Sequence, residues 1–142
     1  MVTPQEYLRP QAAQLPQAEP GPVTAPFWAA CRRLELLYQR CGHCDAAMFP
    51  PAELCRQCLA PELRWERSAG RGALYSWTIV HRPVTPAFTT PYAPAIVTLA
   101  EGYQMLTNIV HATPGQLRLD LPVRVTFAEA GAGLVLPYFE PA

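Results

Sequence analysis

The sequence predicts a mainly β protein: an N-terminal helical segment, a four-cysteine metal module and a C-terminal five-stranded barrel of the OB type. Three observations carry this. Cys41, Cys44, Cys55 and Cys58 form two C-x-x-C pairs. Beyond residue 70, short runs rich in β-formers alternate with turn residues in a hairpin rhythm. Ahead of the cysteines, Phe27, Cys31 and Leu34 recur at helical spacing, with Arg32 and Arg33 opposite.

In chain order, residues 1–25 carry Pro4, Pro10, Pro16, Pro20 and Pro22 among Gln, Ala and Glu, and read as a flexible, extended arm. Residues 26–40 hold the helix and a lead-in strand. Thr24 is placed to cap the helix and Pro26 suits its first turn, where a missing N–H costs little. The chain must then reach the first cysteine pair, so the helix is short and a strand follows near Leu36 to Arg40. Residues 41–67 form the metal module and end in a short strand, Leu63 to Arg67. Residues 68–142 supply five strands. The first lies within 72–83, the next two within 95–112 and joined at Glu101-Gly102, the fourth at 123–130, and the last follows the glycine turn at 130–133. Pro83, Pro86, Pro91 and Pro94 argue against a central strand or a helix between 83 and 94. Five short antiparallel strands close naturally as a Greek-key barrel, with a small sandwich as the rival.

Each C-x-x-C pair sits on a tight turn that aims two thiolates at one ion. Four thiolates close a tetrahedron with no open position for water, the donor set of a structural zinc. Iron bound in the same way, or a redox dithiol, are the alternative readings. The segment between the pairs is too small for a core of its own, so metal ligation would supply its folding free energy. Cys31 lies on the apolar face of the helix and reads as a buried, inert thiol. His43 reads as an exposed residue between two ligands.

The formal net charge is zero, with 11 basic residues, all of them Arg, and 11 acidic ones. Binding driven by phosphate neutralisation shows a basic excess, which is absent, so nucleic acid is disfavoured as a partner. No apolar run reaches the roughly 18 residues of a membrane span. The start lacks the pattern of a secretory signal, and cytoplasm is the expected compartment. No Ser/His/Asp order, paired-carboxylate spacing or H-E-x-x-H motif appears. His81 and His111 fall near strand ends and read as solvated. The chain is therefore not expected to be an enzyme by itself.

Several marks occur together: Phe27-Trp28, Gln39-Arg40-Cys41, Phe49-Pro50-Pro51, the second cysteine pair, Trp65, Ser68-Ala69-Gly70-Arg71-Gly72, Pro91-Tyr92, and Ile96-Val97 before Glu101-Gly102. With them the stretch from Phe27 to Phe139 resembles the acyl-CoA-associated zinc-ribbon and OB-fold family known as DUF35. The resemblance implies a rubredoxin-like ribbon and an OB barrel. It also implies the role of a non-catalytic accessory subunit. Its partner would be a thiolase-fold enzyme (a lipid-transfer-type thiolase or steroid side-chain aldolase) or a MaoC-like hydratase, in a hetero-oligomer that helps form an acyl-CoA site. Asp45 and Leu59 stand where that family often has glycine. Asp tolerates a left-handed backbone and Leu does so poorly, which predicts a distorted second knuckle. Asp120 replaces another such glycine before the fourth barrel strand, where it bears on the barrel's bend.

On this reading Arg71 is the candidate for a CoA phosphate, in a flexible corner between ribbon and barrel. Phe27, Trp28 and Tyr92 are the candidates for partner contact, within a wider set that includes Phe88, Tyr138 and Phe139. The competing reading is that these aromatics fill two small cores. The alternative functions are a single-stranded nucleic-acid module using Tyr75, Trp77 and Arg82, and a rubredoxin-like electron carrier.

Overall fold

The computed structural model describes residues 6–11 and 15–142. Helix α1 (Ala25–Arg32) begins where expected. Thr24 does not cap it, because its own backbone is already in the helical region (φ −98°, ψ −13°) and its side chain cannot reach forward. Its Oγ1 instead accepts the Gly21 N–H at 3.0 Å and closes a turn ahead of the helix. The helix ends because Leu34 turns left-handed (φ 61°). Leu34 N–H then donates to Cys31 O at 2.9 Å and Glu35 N–H to Ala30 O at 3.0 Å, the paired bonds of a Schellman motif. Phe27, Ala30 and Cys31 are buried.

Strands β1 (Leu37–Cys41), β2 (Ala47–Met48) and β3 (Leu63–Arg67) form a three-stranded antiparallel sheet in the order β2-β1-β3. The lead-in strand is thus the centre of the ribbon and is not a separate element before it. Its register puts Gln39 opposite both Met48 and Trp65.

Strands β4 (Arg71–Trp77), β5 (Ala93–Leu99), β6 (Gln104–Ile109), β7 (Pro122–Glu129) and β8 (Val135–Pro141) close a barrel in the order β4-β5-β6-β8-β7. β4 pairs back onto β7, while β6 and β8 run parallel at Ile109 and Phe139. This is the expected five-stranded closed barrel, except that its seam between β6 and β8 is parallel and rests on the single pair Ile109 and Phe139. β5 takes in Pro94, which proline counting places in a loop. The missing N–H is tolerated there because the last β4–β5 partners are Trp77 and Ala95, one residue short of Pro94.

The corner at 68–72 is held tightly and does not behave as a flexible link. The Glu101 carboxylate accepts the Ser68 hydroxyl at 3.0 Å and the Ala69 N–H. Val125 N–H donates to Gly70 O at 2.7 Å, and Gly70 has φ +68°. At Gly72 a Cβ would lie 2.2 Å from Thr98 O, so only glycine lets β4 approach β5 here. Asp120 adopts φ 60°, its N–H donates to Leu74 O at 2.9 Å, and the bend before β7 is kept without glycine.

Helix, ribbon and barrel share one core, in which Phe27 and Cys31 of α1 and Leu36 and Tyr38 of the ribbon side join Leu74, Val97, Tyr103, Ile109 and Phe139 of the barrel side. Tyr38 and Tyr103 stack with ring centroids 4.8 Å apart, and Phe49 lies 5.9 Å from Tyr103. The arm also joins the folded part at Leu8 and Gln11, which corrects the expectation of a free terminus there, while residues 16–20 stay exposed. Leu8 is fully buried, and its N–H donates to Ala112 O at 2.8 Å. Gln11 is 8 % exposed, and its side-chain amide brackets the backbone of Thr89, accepting from the N–H at 2.7 Å and donating to the carbonyl at 3.0 Å. Residues 1–5 and 12–14 of the arm lie outside the described residues.

Removing the Leu8 side chain leaves a cavity in this core. Leu8→Ala should cost about 2–5 kcal/mol in chemical denaturation. A change within about 0.5 kcal/mol, as at an ordinary surface site, would restore the free-arm reading.

Candidate metal centre and apolar groove

The first cysteine pair begins at the last residue of β1 and the second lies within the long loop between β2 and β3. In each, the chain makes the same turn. Cys41 O accepts Asp45 N–H at 3.0 Å and Cys41 N–H donates to Ala46 O at 2.9 Å; Cys55 O accepts Leu59 N–H and Cys55 N–H donates to Ala60 O, both at 2.9 Å. Asp45 and Leu59 take φ 64° and 63°. The second knuckle is therefore a copy of the first and not distorted. Leu59 stays left-handed because both turn bonds form and its side chain, 72 % exposed, meets no obstruction.

The four Sγ atoms lie within 4.8 Å of one another, with Cys41–Cys58 and Cys44–Cys55 each at 3.6 Å. Zinc–sulfur bonds of about 2.3 Å in a tetrahedron require sulfurs about 3.8 Å apart, so the donor set fits the ion. Backbone N–H groups favour thiolate at Cys41 and Cys55, whereas burial and hydrogen bonds among the thiols raise Cys44 and Cys58. The N–H groups of Cys44 and His43 point at Cys41 Sγ from 3.5 and 3.3 Å and lower that thiol's pKa against its burial. Those of Cys58 and Gln57 push Cys55 down to about 7. Cys31 behaves in the opposite way: burial pushes its thiol up to about 12, as an inert core cysteine requires.

A polar strap ties the first knuckle to the sheet. Arg40 Nε donates to Glu66 at 2.9 Å, and its terminal nitrogens donate to Tyr38 Oη at 2.7 Å and Asp45 O at 3.0 Å. Arg64 adds a second bond to Glu66 at 2.9 Å. Hydrogen bonds from Arg40, Tyr38 and Arg64 hold the Glu66 carboxyl down at about 2. Gln39, buried in the sheet, brackets the backbone of Ala52 through both ends of its amide, at 2.8 and 3.1 Å, and so fixes the Phe49-Pro50-Pro51 turn.

The aromatic candidates divide. Phe27 is 4 % exposed, Tyr138 3 % and Phe139 fully buried, so all three pack into the core, Phe27 and Tyr138 beneath the groove. Trp28, Phe88 and Tyr92 are half-buried. With Phe27 as floor they line a groove of about 420 Å³ between α1, the proline-rich loop, β6 and β8, with Leu106 (73 % exposed) at its rim. Phe88 and Tyr92 pack with centroids 5.8 Å apart, and Gln11 pins Thr89 between them in sequence. Arg71 is exposed on β4, and its Cα partner across the ladder is Arg124. Tyr75 and Arg82 are exposed and Trp77 half-buried. His43 and His81 are exposed, whereas His111, also exposed, pairs with Glu140.

Sequence reasoning missed Gln11 and Asn108, the latter of which lines the groove, and took Gln39 as one of the family's marks without its bracing of Ala52. Each acts on residues remote in the chain or across the barrel, and nothing local marks it. The signal available was the neighbouring prolines, which lack the N–H groups that a strand would supply to such loops.

Two family models match consecutive stretches of the chain: the ChsH2 rubredoxin-like zinc ribbon domain over residues 28–64, and the ChsH2 C-terminal OB-fold domain over residues 65–128. The chain belongs to the ChsH2-type DUF35 family. Among solved structures, a chain of the "Ltp2-ChsH2(DUF35) aldolase" superposes with a TM-score of 0.80 at 33 % identity, covering 88 % of this chain and 98 % of that one. A probable enoyl-CoA hydratase alpha subunit of Thermomonospora curvata is 37 % identical over 117 residues, which are 82 % of this chain and 37 % of that protein. The chain thus spans little more than a third of that relative's length. A DUF35 domain-containing scaffold protein of Methanothermobacter thermautotrophicus is 28 % identical over 113 residues, 75 % of this chain and 84 % of its own. The zinc-ribbon match and the sulfur geometry support zinc as the ion of this DUF35 chain.

Leu59 gives the metal site a separate handle. A left-handed Leu costs roughly 1–2 kcal/mol, part of which glycine returns as unfolded-chain entropy. Leu59→Gly should therefore gain about 0.5–1 kcal/mol and slow the loss of zinc to a chelator. Faster zinc loss would show that the left-handed backbone at Leu59 carries no cost that glycine relieves.

Proposed function

We propose that this chain is a non-catalytic accessory subunit that docks on a thiolase-fold enzyme or a MaoC-like hydratase and completes the surroundings of its acyl-CoA substrate. One observation carries the reading: the helix, the closed four-cysteine ribbon and the barrel correspond over nearly the whole of the DUF35 chain in the Ltp2–ChsH2 aldolase. The scaffold name of the methanogen relative and the alpha-subunit name of the actinobacterial one agree with it.

The chemistry of the parts agrees as well. A metal closed by four thiolates gives shape and no Lewis acid position. The shape it gives is a frame that carries an apolar groove on one face. Trp28, Tyr92 and Leu106 around the groove are the residues we assign to contact with the enzyme or its acyl group, on a face of the kind that interface cores favour. Phe27 supports them from below. Arg71, exposed at the start of β4, is assigned to a phosphate of CoA. None of the five cysteines is in a disulfide, which suits the reducing cytoplasm as the compartment.

Affinity capture from the native host with the full chain tests this. The expected result is a thiolase-fold or MaoC-like enzyme recovered in stoichiometric complex. Its turnover of an acyl-CoA substrate should fall at least tenfold when the chain is left out, equivalent to about 1.4 kcal/mol. An enzyme that is fully active alone and forms no complex would sink the proposal.

A further inference from the structure

We infer that two copies of this chain pair through the outer edges of their β3 strands, antiparallel and centred on Trp65, so that the two ribbons share one continuous sheet. β3 ends the ribbon sheet on one side, and no strand among the described residues pairs with its outer edge. The register shows which groups are left over. Glu62 O accepts Gly42 N–H, and Ser68 N–H donates to Leu36 O, so the even-numbered residues of β3 turn their backbone toward β1. The odd-numbered residues turn theirs outward. Leu63 N–H is occupied by Pro61 O at 2.9 Å. Among the described residues, Leu63 O and the N–H and O of both Trp65 and Arg67 have no partner.

A bare edge is a template for another strand, and charges on it usually discourage pairing. Here the charges choose the occupant. In a pair centred on Trp65, Arg64 stands opposite Glu66 of the second copy, and the dyad repeats the match. Moving the centre to Arg64 or to Glu66 sets like charges face to face. The backbone makes the same choice. With Trp65 on the dyad, its N–H and O bond their equivalents, and Arg67 N–H bonds Leu63 O of the second copy. The side chains are within reach. Arg64 is 52 % exposed, and its terminal nitrogens have no carboxylate nearer than Asp45 at 3.6 Å. Among the described residues, Glu66 Oε1 accepts only Arg64 Nε of its own strand, and a carboxylate oxygen has room for a second donor.

The contact is isologous, so it closes at two copies and cannot run on into a fibre. One short strand from each copy makes an interface well below the standard size, so the pair is weak and exchanges freely. It carries two copies of the apolar groove on one body. It needs no partner enzyme, so its failure leaves the accessory-subunit reading standing, and failure of that reading leaves the pair standing.

Sedimentation equilibrium of the full zinc-loaded chain tests this, between about 10 µM and 1 mM, the range of weak encounters. The average mass should climb from one chain toward two. Amide exchange read by NMR at the two ends of that range locates the contact. The Trp65 and Arg67 amides should slow about fivefold or more at the high end, while those of Arg64 and Glu66, already bonded to β1, change little. Arg64→Glu sets like charges across the dyad and should weaken association about tenfold or more. Arg67→Pro removes only an outward N–H, which an edge strand tolerates, and should weaken it to a similar degree. Full zinc content in each variant shows that the ribbon is folded. Where Arg64→Glu loosens the knuckle beside Asp45, Arg67→Pro carries the test alone. Leu106→Gln, at the rim of the groove, should leave association unchanged. A single-chain mass throughout the range, no slowing at Trp65 and Arg67, association untouched by Arg67→Pro, or association lost in Leu106→Gln would each overturn the assignment.

Discussion

Four sulfur atoms converging on one point are the constraint from which the rest of this structure follows. The segment between the cysteine pairs has only Met48 and its immediate neighbours to bury, a cluster too small to fold unaided. Zinc binding to such a set is worth apparent free energies of about 10–16 kcal/mol at neutral pH. That is enough to fix β1 between β2 and β3. Once β1 is fixed, Tyr38 lies against Tyr103 and Phe49 lies near both Phe27 and Tyr103. The cysteines cluster apart from the main core, yet the ribbon they close forms the surface against which the barrel and helix pack.

A second constraint comes from proline. The chain has 17 prolines, and its two longest irregular stretches inside the folded part, 49–62 and 78–92, contain many of them. Proline segments cannot build a ladder of their own because they lack donors. Two buried glutamines supply what is missing. Gln11 and Gln39 each present an amide that reads one backbone N–H and one carbonyl, as a neighbouring strand would. Glu101 does similar work at the corner between ribbon and barrel. Loops that would otherwise be mobile thereby become walls, and the apolar groove is the space between them.

Much of this was legible in the sequence because it is local. Metal spacing lies in one short stretch, and strand alternation with hairpin turns lies in adjacent residues. The marks around Phe49-Pro50-Pro51 and Ser68 to Gly72 tied these to one family. What was not legible depends on distant contacts. Leu8 and Gln11 sit in a proline-rich segment whose composition reads as free chain, and only the barrel's far side explains their burial. Phe139 reads as a possible interface aromatic until its register opposite Ile109 places it at the barrel seam. At Leu59 the local preference was read correctly and still outvoted, since two turn bonds and a ligated neighbour outweigh roughly 1–2 kcal/mol of backbone strain. The groove itself needed four elements to be in place before it existed.

The central claim is that the metal-closed ribbon and the barrel are one mechanical unit, joined through Tyr38, Phe49 and Tyr103. Hydrogen–deuterium exchange of the zinc-loaded and zinc-stripped protein tests it most directly. Stripping should raise exchange in residues 41–63 and also at the β5–β6 hairpin around Tyr103, which has no contact with the ion. Faster exchange confined to residues 41–63, with the hairpin unchanged, would contradict the account.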